Sequence, residues 1–183
     1  MVLDDVVGVR TYERSDFPTP QDLQTRYLNE VLRFVSSLIR PLADAEDVTM
    51  EVFQAAFLSI HKLRGTEDPR LWLLGIARRK VADALRTRYR RKESPLSDAA
   101  KSDNDSQTRV EVSALVREIL EKLPSDQSEA LILKYSNGLT TRELAVVLRR
   151  SEAATNSLLQ RARDSFYTKG APHFLIASEV DHV

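Results

Sequence analysis

The feature that most constrains this chain is the stretch from Asp68 to Lys92, whose spacing of apolar residues predicts one long helix with two unlike faces. Asp68 is suited to cap a helix, and Pro69 is suited to its first turn. The apolar positions recur at helical spacing and comprise Leu73, Ile76, Ala77, Val81, Ala84 and Leu85. At about 100° per residue, a second set gathers on the far side of the same helix, namely Arg79, Asp83, Arg86 and Arg90.

The charge of this helix is one-sided. Between Arg78 and Lys92 there are eight Lys or Arg residues against one Asp, in a chain whose formal net charge is zero. An inert solvated face usually alternates its signs, whereas a basic row on a rigid helix is typical of a surface that tracks a phosphate backbone. The pattern favours nucleic-acid binding over simple solvation.

Composition limits the other possibilities. The chain has 183 residues, of which 42% are hydrophobic and none is Cys, so it can bury a core but has no disulfide framework and no thiolate metal site. The acidic start of the chain is unlike a signal peptide, and its apolar runs are too short to span a membrane. We expect a cytoplasmic protein without membrane insertion.

Two helices are predicted before the basic one. Thr19 and Pro20 form a start signal, and the first helix is expected to end at Pro41. The second is expected from about Asp44 to Leu63, with a strip of residues opposite its core face comprising Asp44, Asp47, Glu51, Gln54 and Leu58. The acids could simply complement the helix dipole, contact a basic partner or, least favoured, hold a divalent metal.

After Lys92 the composition changes abruptly. Residues 93–112 carry five acids against two bases and few large apolar side chains, which predicts a flexible acidic linker over residues 93–111. The fold class is therefore predicted as all-α, with two helical domains at residues 19–92 and 112–167. Residues 1–18 are expected to form a flexible arm, and residues 168–183 a tail whose role the sequence leaves open.

The second domain carries a helix-turn-helix pattern. Ser125 is expected to cap one helix and Gly138 to end it, and Thr140 with Glu143 has the spacing of a capping box. A final helix capped by Ser151 is expected to turn a polar face outward, made of Ala153, Asn156, Ser157, Gln160 and Arg161. Such helix pairs can be purely structural, but the basic turn at Arg149 and Arg150 favours DNA binding.

The order of these motifs resembles the extracytoplasmic-function (ECF) sigma factors, the small two-domain promoter-specificity subunits of bacterial RNA polymerase. The resemblance runs from about Leu23 to Phe166 and rests on four segments: DAEDVTMEVFQAAF, RGTEDPRLWLLGIARRKVADALR, LPSDQSEALILKYSNGLTTRELAVVL and SLLQRAR. It implies a protein that binds core RNA polymerase and directs it to promoters, without chemistry of its own and without a cofactor.

The resemblance also implies residue roles. The strip of Asp44, Asp47, Glu51, Gln54 and Leu58 would meet the β′ clamp helices of the polymerase, and the β flap would be a further contact. The −10 element would be opened and held by Arg64, Arg78, Arg79, Lys80, Asp83, Arg86 and Arg90. The −35 element would be read by Arg149, Arg150, Ala153, Asn156, Ser157, Gln160 and Arg161. An anti-sigma factor is an expected partner.

Several residues depart from the family pattern. Met50 replaces a common Gln, Arg79 a common Asn, and Leu158 a frequent Arg of the recognition helix. Arg149 stands where Gly is usual in the turn, so a left-handed residue there would cost about 1 kcal/mol. Trp72 could stack on a base, but its neighbours favour a packing role.

The runner-up function is a repressor or activator that binds duplex DNA without polymerase, and the third is a metal-dependent nuclease.

Overall fold

The regular elements are all helical in the computed structural model, which describes residues 19–63, 68–92 and 107–180. The α-helices are α1 (Pro20–Ser36), α2 (Leu42–Ser59), α3 (Pro69–Lys92), α4 (Gln107–Glu121), α5 (Ser125–Leu131), α6 (Thr141–Leu148) and α7 (Glu152–Val180). A 3-10 turn, Ile60–Lys62, follows α2, and a π-helical segment, Ile132–Ser136, extends α5. The all-α fold class predicted from the sequence is confirmed.

The helix starts follow the capping signals of the sequence at Thr19, Asp68, Thr140 and Ser151. Thr19 forms a capping box with Asp22, in which the Asp22 amide donates to the Thr19 hydroxyl at 3.2 Å. Thr140 and Glu143 form the same box at the start of α6. Asp68 accepts a hydrogen bond from the Arg70 amide at 2.8 Å. These predicted caps are confirmed.

One predicted cap is wrong. Ser125 is the first helical residue of α5, and Pro124 occupies the N-cap position without a side-chain hydrogen bond. The fixed φ of Pro124, −52°, already suits the entry to a helix. The helix therefore starts at Ser125, one residue earlier than it would if Ser125 were the cap.

The predicted core face of α3 is confirmed in part. Leu73, Ile76, Ala77 and Val81 are buried as expected, but Leu85 is 36% exposed and Leu74 is fully enclosed. Leu74 lies one turn from both Arg70 and Arg78, on a second face of α3 that meets the C-terminal half of the chain. Leu85 is three turns further along this second face, beyond these contacts. A single-stripe reading of the helix therefore missed the second packing face.

Leu158, which stands where the family frequently has Arg, is a core residue. It is 1% exposed and belongs with Leu159 to the hydrophobic core. Thr155, Leu158 and Ala162 share one buried face of α7, because residues three and four apart lie together on a helix. Leu158 therefore stabilises the helix-turn-helix from within.

The two halves of the chain share one hydrophobic cluster. It joins Phe34, Phe53 and Leu73 of the N-terminal half to Leu133 and Leu144 of the C-terminal half. Trp72 is half-buried against this cluster, in agreement with the predicted packing role. The predicted arm at residues 1–18, residue Arg64 and residues 93–106 of the predicted linker lie outside the described residues. The domain boundaries stay a prediction.

Candidate nucleic-acid interface

The outer face of α3 presents the basic row that the sequence predicts. Arg79, Asp83, Arg86 and Arg90 are all exposed. Arg86 Nη1 lies 2.8 Å from Asp83 Oδ1, an exposed pair on adjacent turns, and Arg79 Nε donates to the Gly75 carbonyl at 3.1 Å. Exposed pairs of this kind are weak, about 0–1 kcal/mol, so these cations can exchange their partners for phosphate at little cost.

The other cations of α3 are engaged inside the molecule. Lys80 Nζ lies 3.1 Å from Glu51 Oε2, and Arg88 pairs with Asp44, so α3 runs antiparallel to α2 with the acids of one helix against the bases of the other. Two acids of the predicted polymerase strip therefore neutralise two bases of the predicted DNA helix. Ion pairs with cations occupy both carboxylates, and among the described residues no group of three or more His, Cys, Asp and Glu could hold a metal ion.

The rest of the acidic strip is open to solvent. Asp47 and Gln54 are exposed, and Leu58 is 76% exposed. Met50, which replaces a common Gln, is also exposed beside them at 53%. Two exposed apolar side chains on a helix that also exposes carboxylates are suited to contact with a protein partner.

Arg78 differs from the outer row because it reaches the C-terminal half. Its Nε lies 2.7 Å from Glu129 Oε1 on α5, although the N–H is poorly aligned for a hydrogen bond. Burial raises the pKa of Glu129, and the adjacent Arg78 charge opposes that shift. Arg78, one of the predicted −10 residues on α3, is thus held against the half-buried carboxylate of Glu129.

The helix-turn-helix is formed by α6, a left-handed turn and α7. Arg149 has φ 54° and ψ 47°, so the predicted left-handed residue is an arginine where glycine is the strain-free choice. Ser151 accepts from the Ala154 amide at 3.2 Å and thereby starts α7, as expected. Arg150 Nη2 lies 3.4 Å from Asp126 Oδ2, which braces the turn against α5.

The outer face of α7 is open. Its five predicted reading positions are all exposed, namely Ala153, Asn156, Ser157, Gln160 and Arg161. Gln160 donates to Asp164 at 3.0 Å along the helix, an exposed contact that a ligand could replace. The opposite face is buried at Thr155, Leu158 and Leu159. Over residues 152–162, α7 is fixed against the core on one side and presents polar or small side chains on the other.

Sequence reasoning missed a polar junction between the two halves. Arg70 Nε donates to both carboxylate oxygens of Glu30 at 2.8 and 3.0 Å, and its Nη2 donates to the Asn137 carbonyl at 2.7 Å. Asn137 in turn donates to the Glu30 carbonyl at 3.1 Å. The hydrogen bond with Glu30 raises the pKa of Arg70. The partners are 40 to 107 residues apart, and no local signal of the sequence pairs them.

Family models match both halves of the chain. The Sigma-70 region 2 model matches residues 23–91, and the Sigma-70 region 4 model matches residues 113–165. Among the described residues, none of the helices has the length and apolarity needed to cross a bilayer.

Curated relatives match over most of their length. The ECF RNA polymerase sigma factor SigM of Bacillus subtilis is 30% identical over 161 residues, which is 83% of this chain and 97% of the relative. The ECF RNA polymerase sigma factor SigC of Mycobacterium tuberculosis is 32% identical, covering 78% of each chain. The sigma-E factor of Escherichia coli is 27% identical, covering 93% of this chain and 96% of the relative.

Solved structures share the fold. The sigma factor RpoE in complex with the anti-sigma factor NepR, from Bartonella quintana, superposes with a TM-score of 0.69 at 20% identity, over 81% of this chain and 94% of that one. CnrH in complex with the cytosolic domain of CnrY superposes with a TM-score of 0.64 at 24% identity, over 81% of this chain and 85% of that one.

Proposed function

This chain belongs to the ECF family of RNA polymerase sigma factors, which are non-enzymatic initiation factors, and we propose which of its surfaces binds the polymerase and which bind promoter DNA. The protein binds core RNA polymerase and directs promoter-specific initiation. The three surfaces are the acidic strip of α2, the outer row of α3 and the outer face of α7.

The α7 face is assigned to the −35 duplex. A helix fixed by a buried face and a braced turn can enter a major groove as a rigid body, with Asn156, Gln160 and Arg161 at its surface. Amide side chains pair with adenine edges, and arginine pairs with guanine. Ala153 and Ser157 are small enough to let the helix approach the bases. Arg149 and Arg150 lie at the turn and are assigned to the phosphates.

The α3 row is assigned to the −10 element. Arg79, Arg86 and Arg90 are exposed along one line of a rigid helix, with Asp83 between them. Such a line suits the backbone of a displaced strand. Arg78 and Lys80 can contact the DNA strand only after their ion pairs with Glu129 and Glu51, respectively, are broken. Arg64 belongs to the same assignment and lies outside the described residues.

The α2 strip is assigned to the polymerase β′ clamp helices. Asp47, Gln54 and Leu58 are exposed there, and Glu51 is exposed beside them. A contact with the β flap is assigned to the C-terminal domain as a whole. Since the two superposed sigma factors are in complex with an anti-sigma factor or with the cytosolic domain of CnrY, we also propose an anti-sigma partner for this chain, which acts in the cytoplasm with the polymerase.

The observation that carries the proposal is the open outer face of α7 opposite a buried face. The test is transcription in vitro with core polymerase, from a duplex promoter and from the same promoter melted in advance around −10. Alanine at Asn156 or Gln160 should change the preferred −35 sequence in a randomised library, since a base-edge contact contributes about 1–3 kcal/mol of discrimination. Alanine at Arg86 and Arg90 should impair open-complex formation at every promoter, and melting in advance should restore it.

The salt dependence separates the two classes further. Loss of a phosphate contact should reduce the salt slope by about one unit, whereas loss of a base contact should leave it unchanged. Equal rescue of both classes by the melted promoter would refute the division of surfaces. Binding to duplex DNA without any polymerase-dependent transcription would favour a repressor or activator instead.

The acidic strip is tested by a double substitution. Asp47→Ala with Glu51→Ala should weaken binding to core polymerase while the helical circular dichroism stays unchanged, because both side chains are exposed. Alanine at Glu46, an exposed acid of α2 outside the strip, is the matched control. Equal affinity of the double variant and the wild type would remove the strip from the interface.

A further inference from the structure

A cleft lies where the two halves of the chain meet, away from the three surfaces assigned above. Its volume is about 1000 Å³, at the upper end of the range of small-molecule sites, which is roughly 300–1,000 Å³. The C-terminal end of α1 forms one wall, and α4, the end of α5 with its π-helical extension, and α7 form the others. A molecule in this cleft would contact both halves at once.

The floor of the cleft is apolar. Leu131 and Ile132 are buried beneath it, and Leu120 and Phe166 line it half-buried. At its rim, Val116 is 38% exposed and Tyr167 is 67% exposed. Exposed apolar side chains collected around a concave site favour a ligand with an apolar body.

The polar groups of the cleft are mostly cationic. Arg33, Arg40, Arg117 and Arg163 line it, and no Asp or Glu is among the described residues of its wall. Arg33 donates to the Ser136 carbonyl at 3.3 Å, and Arg163 donates to the Tyr135 hydroxyl at 2.9 Å, both of which are neutral acceptors. Four guanidinium groups therefore converge on an apolar floor.

Arg40 and Arg117 are the least compensated pair. Burial lowers the pKa of Arg40, the charge of Arg117 lowers it further, and Glu121 opposes both effects. An anion between the exposed Arg40 and the half-buried Arg117 would offset the repulsion between their guanidinium groups. Guanidinium binds carboxylate in a planar, bidentate geometry.

We propose that this cleft binds a small amphipathic anion, with a carboxylate-type head on Arg40 and Arg117 and an apolar body over Leu131, Ile132 and Phe166. The choice follows from charge complementarity: a neutral apolar ligand would leave the arginines unpaired, and a purely ionic one would leave the floor in water. Since the cleft is shared by both halves, the occupant stabilises their packed arrangement by mass action.

The test uses laurate below its micelle-forming concentration, titrated into the full chain by calorimetry. Binding at one site per chain and a rise in the thermal midpoint are expected. Acetate, which has the head without the chain, and dodecyltrimethylammonium, which has the chain with the opposite charge, should bind at least about tenfold more weakly, a difference of about 1.4 kcal/mol.

Variants with matched controls locate the site. Arg40→Gln with Arg117→Gln should weaken laurate binding by about tenfold or more, whereas Arg26→Gln with Arg142→Gln, equal in charge change but outside the cleft, should not. Val116→Asp should abolish binding, and Val146→Asp, at a valine 59% exposed on α6 and outside the cleft, should leave it intact. The thermal midpoint of each variant without laurate reports whether that variant folds.

Four results of the binding experiments would overturn the proposal. These are the absence of laurate binding at millimolar concentration, equal binding of the cationic amphiphile, unchanged affinity in the Arg40 and Arg117 double variant, and binding by a synthetic acidic amphipathic peptide but not by laurate. A chain that sediments as a dimer, and becomes a monomer on Val116→Asp, would assign the cleft to a second copy and overturn it equally. Each of these measurements is independent of transcription.

Discussion

The two predicted DNA surfaces differ in how far their side chains are committed within the protein. On α3, the inner cations Arg70, Arg78, Lys80 and Arg88 all hold carboxylates of other helices. On α7, the outward residues bind at most a neighbour on their own helix, as Gln160 binds Asp164. Under the proposed assignment, the α7 face would bind DNA without breaking a contact to another helix, whereas four cations of α3 would first have to break ion pairs with other helices.

The difference follows from what each helix packs against. The first α3 face meets α1 and α2, and the second meets the C-terminal half at Arg70 and Arg78. Only the α7 side opposite Thr155 and Leu158 is open. If α3 binds DNA as proposed, we expect separation of the halves to free Arg78 from Glu129, whereas Lys80 and Arg88 would keep their partners on α2. Four measurements test this difference between the two helices.

The largest expected effect is on the buried face of α7. Leu158→Ala should lower the free energy of unfolding by about 2–5 kcal/mol, because the side chain is 1% exposed and its removal leaves a cavity. Asn156→Ala, two residues away and exposed, should stay within about 0.5 kcal/mol of the wild type. Urea unfolding measures both. Similar losses for the two variants would contradict the two-sided description of the helix.

The junction between the halves comes next. Arg70→Ala should cost about 1.5–3 kcal/mol, since it leaves Glu30 and the Asn137 carbonyl without their charged donor. Arg79→Ala on the outer row is the matched control and should be nearly neutral, because its side chain binds only within α3. Thermal unfolding gives the stability. Proteolysis at residues 93–106 should also be faster in the Arg70 variant if the junction holds the halves together.

A smaller loss of stability is expected when either capping box is removed. Thr140→Ala should cost about 1 kcal/mol, because the Thr140 hydroxyl accepts from the Glu143 amide and Glu143 returns a bond to the Thr140 amide. Thr19→Ala at the first helix has the same local geometry. Hydrogen exchange should report loss of protection confined to the start of α6 or of α1, respectively. Protection lost throughout both halves by either variant would mean that the caps act globally.

The smallest effect is the pH dependence. Burial raises the pKa of Glu143, but the hydrogen bonds from Thr140 and the charge of Arg70 outweigh it, so the net shift is downward. At a pH below 4.5, the usual pKa of this carboxyl, Glu143 binds fewer protons in the folded chain than in the unfolded chain. The stability that Glu143 contributes is therefore present above pH 4.5 and is lost as the pH falls. Glu143→Gln should flatten that acid limb.

Glu129 should behave in the opposite sense. Its pKa is raised by burial despite Arg78, so the folded chain binds more protons than the unfolded one, and stability falls as the pH rises from 4.5 through the folded value. Glu129→Gln should remove this decline. Urea midpoints measured at several pH values would contradict both predictions if the two variants shifted the curve in the same direction.

The local features of this protein were predictable from the sequence because each depends on residues one or two turns apart. The capping boxes at Thr19 and Thr140, the left-handed Arg149, the outward row of α3 and the open face of α7 are of this kind. Periodicity gives the face of a helix, and capping chemistry gives its start, without reference to the rest of the chain.

Tertiary structure decided what those faces meet. The burial of Leu74 and Leu158, the exposure of Leu85, the contact of Arg78 with Glu129 and the Arg70–Glu30–Asn137 junction join residues that no local rule pairs. The net charge of α3 could be counted from the sequence. Which of its cations form ion pairs and which do not depends on carboxylates from other helices. Packing of the two halves places those carboxylates, because a second face of α3 becomes a core face only when another helix covers it.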